Sequence, residues 1–315
     1  MDIALNGFGR VNQYLLYLVQ RECQVNVAAI ADTRALTQII DEYNASFGST
    51  PSRAKKEYCK RGEFIIVAGQ KIPFFHTDSP VPWPFSSIDC LIEGASVVER
   101  EGLLRHGHNA RFVVMTGDVK GDDGSIQTYV DRIGDKGPYY GSPFVCFSSD
   151  RTQVASPILQ IAKDIFGRAV PCHITTLRGK YSPQSKDGSE GFRGLKRALP
   201  EYDAHVSGTI LFQAVESPAE MHLSFDFAGT GLGYDRSMQE AIARRAQRFF
   251  SAISQTSFTN VAATERNDDP SALAIQVNYR PIELYDHLLH RFLVERIGPR
   301  ITPSPQDVKF LGESD

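Results

Sequence analysis

The chain has 315 residues, a formal net charge of -3, a pI near 6.3 and 42% hydrophobic residues, the balance of a globular protein of about two domains. Lys and Arg are scattered, which leaves no basic footprint for nucleic acid or an anionic membrane, and no apolar run nears the roughly 20 residues of a membrane span. The five cysteines, Cys23, Cys59, Cys90, Cys146 and Cys172, are odd in number and lack C-x-x-C spacing; read as reduced thiols in a chain without an export leader, they predict a cytoplasmic protein.

Residues 2–6 predict a short apolar strand, a Gly-Phe-Gly turn follows, and the apolar spacing of 11–21 predicts a helix. A second strand over 25–31 ends on Asp32, and 36–43 again reads as helix, closing a βαβ unit. Polar and charged residues dominate through Lys60. Residues 64–67 and 71–74 then read as a hairpin about 68–70, an insertion in the sheet. Buried strands are expected at 90–92, 112–115 and 144–147. A long helix is predicted from Thr152 to Phe166, with Gly167 as its C-cap. Strand-like runs at 170–177, 209–215 and 221–227, with a basic-faced helix at 237–250, point to a mixed sheet with helices on one face. A last helix, from about 282 to 294, precedes a proline-rich tail. The expected class is α/β. A Rossmann-type parallel-sheet domain would span 1–148, completed by a C-terminal helix region at about 282–315, and an α+β domain with a mixed or antiparallel sheet would span 149–281.

Gly7-x-Gly9, between a strand and a helix, has a physical logic: glycine permits the tight turn, and the free N–H groups of the helix meet a pyrophosphate. Asn12 stands where the pattern carries its third glycine, whose small size lets helix and strand pack closely. Asp32, at the end of the second strand, is placed to accept hydrogen bonds from the adenosine ribose hydroxyls, and a carboxylate there favours NAD over NADP. Two readings stay open: a dinucleotide site, or a Rossmann turn that keeps its glycines for backbone reasons alone.

Asn6-Gly7-Phe8-Gly9-Arg10-Val11 resembles the N-G-F-G-R-I opening of glyceraldehyde-3-phosphate dehydrogenases. Ala31-Asp32 stands where that family carries N-D, and Tyr43-Asn44-Ala45-Ser46-Phe47-Gly48 where it carries Y-D-S-x-x-G. The stretch Asp89-Cys90-Leu91-Ile92-Glu93-Gly94-Ala95-Ser96 is similar to D-Y-V-V-E-S-T-G, and Leu199-Pro200-Glu201 to Ser207-Gly208 echoes L-P-E-L-N-G-K-L-T-G. The resemblance implies a two-domain dehydrogenase fold and NAD held by Asn6, Gly7, Phe8, Gly9, Arg10, Val11, Asp32 and Thr116. It also implies a homo-oligomer.

The resemblance fails at the chemistry. The family's S-N-A-S-C-T-T-N segment corresponds to Ser148-Ser149-Asp150-Arg151-Thr152-Gln153-Val154-Ala155, which puts Thr152 in the place of the nucleophilic cysteine. An unassisted threonine hydroxyl stays protonated and attacks poorly. The histidine base of T-T-V-H falls on Arg178, and a guanidinium cannot accept a proton. The phosphate-binding threonines fall on Tyr181 and Pro183, and the arginine of F-R-V-P on Phe212 or Gln213. Only ten residues separate Asp187-Gly188 from Leu199-Pro200, where the family has a longer loop against a neighbouring subunit, so a dimer is expected in place of a tetramer. The asparagine of Y-D-N-E has no secure match around 278–281.

Cys146 and Cys172 read as packing residues; Cys172 and its neighbour His173 would point to opposite faces of a strand. His106 and His108 read as a loop, and no metal-ligand spacing is present. Arg151 and Arg178, beside a helix N-terminus, suit a small carboxylate or phosphate ligand, unless Asp150 caps that helix and pairs with an arginine. The expectation is a dehydrogenase-like NAD-binding protein with a degenerate active site, unable to perform phosphorylating aldehyde oxidation. The alternative is a diverged NAD-dependent oxidoreductase, or another enzyme, acting on a small anionic substrate with Tyr181 or Asp150 handling a proton. A third reading has dinucleotide binding lost altogether.

Overall fold

The computed structural model describes residues 1–21, 24–48, 52–59, 62–76, 83, 88–94, 98–99, 110–117, 119–120, 126–131, 133, 144–178, 192–212, 219–227, 230, 235–253, 258–264 and 272–298. These cluster into two compact units, one drawn from Met1–Ile126, Gly141–Cys146 and Asp286–Asp315, the other from Gln127–Tyr140 and Phe147–Tyr285. Among the described residues no helix is long and apolar enough to cross a membrane.

The first unit opens with β1 (Asp2–Asn6), α1 (Arg10–Val19), β2 (Asn26–Asp32) and α2 (Leu36–Phe47). In α2 the residues Leu36, Ile39, Ile40 and Tyr43 are buried, the i, i+3, i+4, i+7 stripe of a helix seated on a sheet. The helix runs further than predicted because Phe47 packs its ring on Tyr14, Tyr17 and Tyr43. Then come β3 (Lys55–Cys59), β4 (Gly62–Val67) and β5 (Gln70–His76), followed by β6 (Ile88–Glu93), the two-residue β7 (Val98–Glu99), β8 (Ala110–Met115), the two-residue β9 (Val119–Lys120), β10 (Gln127–Thr128) and β11 (Phe144–Cys146). Of these, β10 falls in the second unit.

Eight strands of the first unit run β11-β8-β6-β1-β2-β5-β4-β3 across the sheet. The six from β11 to β5 pair in parallel, in the doubly wound order that reverses between β1 and β6. The predicted hairpin turns at Ala68 and Gly69, both with positive φ, as a two-residue hairpin requires. It is no insertion, however. β5 pairs parallel with β2, Ile30 opposite Phe74 and Asp32 opposite His76, and is the third strand of the parallel set. Only β3 and β4 are added, at an antiparallel edge. β3 escapes hydrophobic patterning because four of its five residues are exposed, and edge lysines such as Lys55 and Lys56 blunt an open edge.

The second unit contains α3 (Asp150–Phe166), β12 (Cys172–Arg178), α4 (Arg193–Ala198), a 3-10 turn (Pro200–Tyr202), β13 (Val206–Phe212), β14 (Ala219–Asp226), α5 (Arg236–Ser251), β15 (Phe258–Thr264) and β16 (Ala272–Tyr279). Helix α6 (Pro281–Phe292) follows and continues as a π turn, Leu293–Ile297. The sheet order is β13-β12-β14-β16-β15, with β12 and β13 parallel and the other pairs antiparallel. Strands β15 and β16 were not foreseen. Period-2 burial is plain in β14, where Ala219, Met221, Leu223 and Phe225 are buried and Glu220, His222 and Ser224 are not. Helix α5 packs on β15 and β16, and α3 packs on α5. Gly167 ends α3 in the left-handed region, φ 75°, as its sequence position implied.

Candidate functional site

In the first unit, backbone register lines up the carboxyl ends of four strands. Asn6 lies opposite Ala31 and Glu93, and Glu93 opposite Met115. The chain leaves β1 through Gly7, φ 76°, whose N–H donates to Ala31 O at 2.8 Å, while Gly94 N–H returns to Asn6 O at 2.7 Å. This is the crevice at which the strand order reverses, the usual ligand position of an open α/β sheet. Asn6 Nδ2 donates to the buried Glu93 at 2.7 Å, and Thr116 donates to Glu93 O through N–H at 2.9 Å and Oγ1 at 3.2 Å. Phe8 is buried against Tyr43, ring centroids 6.3 Å apart. Exposed Arg10 and half-buried Val11 occupy the first turn of α1. That helix starts at Gly9 with no side-chain cap and no acidic residue in its first turn, and a Cβ at Gly9 would meet open space. A helix end of this kind presents N–H groups and a positive dipole end to an anion, so these residues fit a dinucleotide pyrophosphate.

Asn12 does not spoil this packing. Its Nδ2 donates to Gly7 O at 2.7 Å, and a Cβ on Gly94 would lie 2.5 Å from that same Nδ2. Bulk lost at 94, where the resemblance has serine, makes room for bulk gained at 12. The signal was present in the motif but required both positions to be read together.

Asp32 is 7% exposed. Its Oδ2 accepts from Phe8 N–H at 2.6 Å and Arg34 Nη2 at 2.9 Å, and its Oδ1 from Arg34 N–H at 2.8 Å and Arg34 Nε at 2.9 Å. Burial raises the carboxyl, but the Arg34 side-chain bond, the two N–H groups and the guanidinium charge outweigh it and hold Asp32 below the usual carboxylate range. Arg34 was missed from sequence, because no spacing rule marks an arginine two residues beyond the strand.

In the second unit, α3 begins at Asp150 and its N-cap is Ser149, in extended backbone. The alternative in which Asp150 caps the helix does not hold: Asp150 already has helical geometry, and it is Ser149 Oγ that accepts Thr152 N–H at 3.3 Å. Asp150 accepts instead from the hydroxyl of buried Tyr279 at 3.0 Å. Thr152 is fully buried; its Oγ1 lies 3.0 Å from Ser148 Oγ and 3.3 Å from Ser149 Oγ. Ser148, also fully buried, has φ 52°, strained for a residue other than glycine, and its carbonyl accepts the Tyr285 hydroxyl at 2.9 Å. Gly194 of α4 closes the cluster, since a Cβ there would lie 1.7 Å from Ser148 Oγ and 3.0 Å from Thr152 Oγ1.

Arg151 is half-buried, its Cζ 6.0 Å from the centroid of Phe192. Arg178 is the last residue of β12, its backbone opposite Phe212; the side chains of Arg178 and Phe212 lie outside the described residues, as do Cys23, His106, His108, Tyr181, Pro183, Asp187, Gly188 and Gln213. Cys172 is buried, and burial pushes its thiol up, while exposed His173 turns to Ser207 Oγ at 2.8 Å. Cys90 and Cys146 are buried in strands and Cys59 is exposed.

Residues 1–101 match the sequence model of the family described as glyceraldehyde 3-phosphate dehydrogenase, NAD binding domain. The chain is 29% identical over 207 residues, 63% of its own length and 50% of the relative's, to the chloroplastic glyceraldehyde-3-phosphate dehydrogenase GAPA1 of Arabidopsis thaliana. It is 28% identical over 210 residues, 64% of its length and 61% of the relative's, to the glyceraldehyde-3-phosphate dehydrogenase of Buchnera aphidicola subsp. Schizaphis graminum. With glyceraldehyde-3-phosphate dehydrogenase 1 of Kluyveromyces lactis it shares 27% over 171 residues, 53% and 50% of the two lengths. The matches thus span about half to three fifths of these relatives. Over residues 1–101 the chain is therefore similar to the NAD-binding domain of glyceraldehyde-3-phosphate dehydrogenases.

Proposed function

We propose that the whole chain is a glyceraldehyde-3-phosphate dehydrogenase homologue that binds NAD and has lost thioester chemistry, serving as a binding or regulatory protein. Its domains would be 1–148, completed by the C-terminal region from about 282, and 149–281. The pyrophosphate would meet the backbone of Asn6, Gly7, Phe8, Gly9, Arg10 and Val11, with Thr116 at the next strand end and Asp32 at the ribose. The single observation that carries the loss of chemistry is Thr152: buried, its N–H on Ser149 and its hydroxyl within hydrogen-bond distance of Ser148 and Ser149. A nucleophile needs access and an activating base, and Thr152 has no exposed surface. The protein would work in the cytoplasm as a homo-oligomer, a dimer where the family's tetramer contacts are missing.

The test is direct. With NAD, inorganic phosphate and glyceraldehyde 3-phosphate, absorbance at 340 nm stays flat, while NAD alone raises the melting temperature, as ligand linkage requires. Sustained reduction of NAD under these conditions overturns the proposal. Half-buried Arg151, in the first turn of α3 with its Cζ 6.0 Å from the ring centroid of Phe192, favours a second reading, a small anionic substrate held with Arg178 by a diverged oxidoreductase. That reading requires NAD reduction with some aldehyde or alcohol, abolished in Arg178→Ala.

A further inference from the structure

The ribose-binding carboxylate of a dinucleotide site must have acceptor positions to offer, and a carboxylate has about four. At Asp32 all four are taken: Oδ2 by Phe8 N–H and Arg34 Nη2, Oδ1 by Arg34 N–H and Arg34 Nε. Two of these donors are backbone and fix the carboxylate in place. The other two are the fork of one side chain, which is the movable half of the arrangement. The Arg34 side chain is 31% exposed, and its guanidinium is anchored further, Nη1 to Glu42 at 2.5 Å and Nη2 to Phe8 O at 2.7 Å.

Resting on the NAD-binding reading above, we propose that Arg34 is a latch over Asp32: the ribose diol gains its acceptor only when the guanidinium fork leaves it, so Arg34 sets both the affinity for NAD and the discrimination against a 2′-phosphate. The exchange trades two charge-assisted bonds within the protein for two hydroxyl bonds from the ligand. Glu42, on α2, gives the displaced guanidinium a partner to stay with, so release does not strand a charge. The charge count sets the selectivity. Asp32 and Glu42 against Arg34 leave one net negative charge, which a 2′-phosphate must face; removing Arg34 leaves two. Loss of Arg34 therefore frees the diol acceptor for NAD and worsens the site for NADP.

Calorimetric titration of the full chain with NAD and with NADP tests this. Arg34→Ala is expected to bind NAD about tenfold tighter than wild type, on the order of one hydrogen bond to a charged group, and to bind NADP no better, so the NAD to NADP preference rises about tenfold or more. Asp32→Asn placed in the Arg34→Ala background should erase the gain, since the gain runs through that carboxylate. Arg34→Lys, which keeps the charge but not the fork, should fall between. A single cooperative melting transition for unliganded Arg34→Ala, at or somewhat below the wild-type temperature because the Arg34 side-chain bonds are lost, verifies that the variant folds. NAD binding that appears only in Arg34→Ala supports the latch. Equal or weaker NAD binding by Arg34→Ala, or an equal gain for NADP, overturns the latch while leaving NAD binding intact; no NAD binding by either protein overturns both.

Discussion

Two helices of this chain begin directly after a strand and a turn, and they are finished in opposite ways. Helix α1 starts at Gly9 with no side-chain cap, no acid in its first turn and open space where a Cβ would be. Helix α3 starts at Ser149 with its cap in place, Asp150 in its first turn, and Thr152 buried under Gly194. A helix N-terminus holds an anion when its N–H groups and dipole are unspent, and stops doing so when serine and aspartate consume them. Under the proposed function, the open start of α1 would be the binding end and the filled start of α3 the end where the reaction is lost. The contrast lies in the local chemistry of two helix starts, and variants can break it.

The largest effect is expected at the filled end. Gly194→Ala drives a Cβ to 1.7 Å from Ser148 Oγ and 2.5 Å from Ser148 Cβ, and overpacking of this kind costs about 3 kcal/mol, read as a fall in the denaturation midpoint. An unchanged midpoint would mean that the cluster over Thr152 is loose and the site is open. Next comes the pair at the open end. Gly94→Ser and Asn12→Gly should each destabilise, by about 1–3 kcal/mol, the first through the 2.5 Å approach to Asn12 Nδ2, the second by removing the donor to Gly7 O. The double variant should lose less than the sum, and simple additivity in a double-mutant cycle would show that the two positions do not compensate.

How much of this was legible beforehand follows the same divide. The strand, Gly-x-Gly turn, helix and Asp32 could be read because each has a spacing fixed by backbone geometry. So could Gly167, because a left-handed helix end selects glycine. Thr152, at the position where the resemblance implies a nucleophilic cysteine, was visible as a residue identity. What that residue does instead was not: Gly194 and Tyr285 meet Thr152 or its turn only through tertiary packing, and the local Ser148 contact depends on the positive φ of Ser148. Capping by Ser149 in place of Asp150 depended on a one-residue shift in where α3 begins, and both residue types make good caps. β3 hid behind an exposed edge. Arg34 hid because its role depends on a side chain folding back over two residues.

Smaller effects sharpen the comparison further. Ser149→Ala should cost about 1 kcal/mol through loss of the cap, and its main use is to restore N–H capacity at α3. The Asp32 corner should show an acid dependence. Because the folded carboxyl titrates below its unfolded value, its contribution is complete above the usual carboxylate range of about 4 and is lost as pH falls through the folded value. Asp32→Asn should therefore fall below wild type in stability at pH 7, with the gap closing on acidification; a gap that widens toward low pH would contradict the ion pair with Arg34.

The most direct measurement is a calorimetric titration of the purified chain with NAD. Saturable binding of one NAD per chain, at a dissociation constant below millimolar, is expected from the uncapped start of α1 and its Gly7-Phe8-Gly9 turn. Absence of any heat of binding, with no rise in melting temperature at millimolar NAD, would contradict the claim that this end of the ancestral machinery still works.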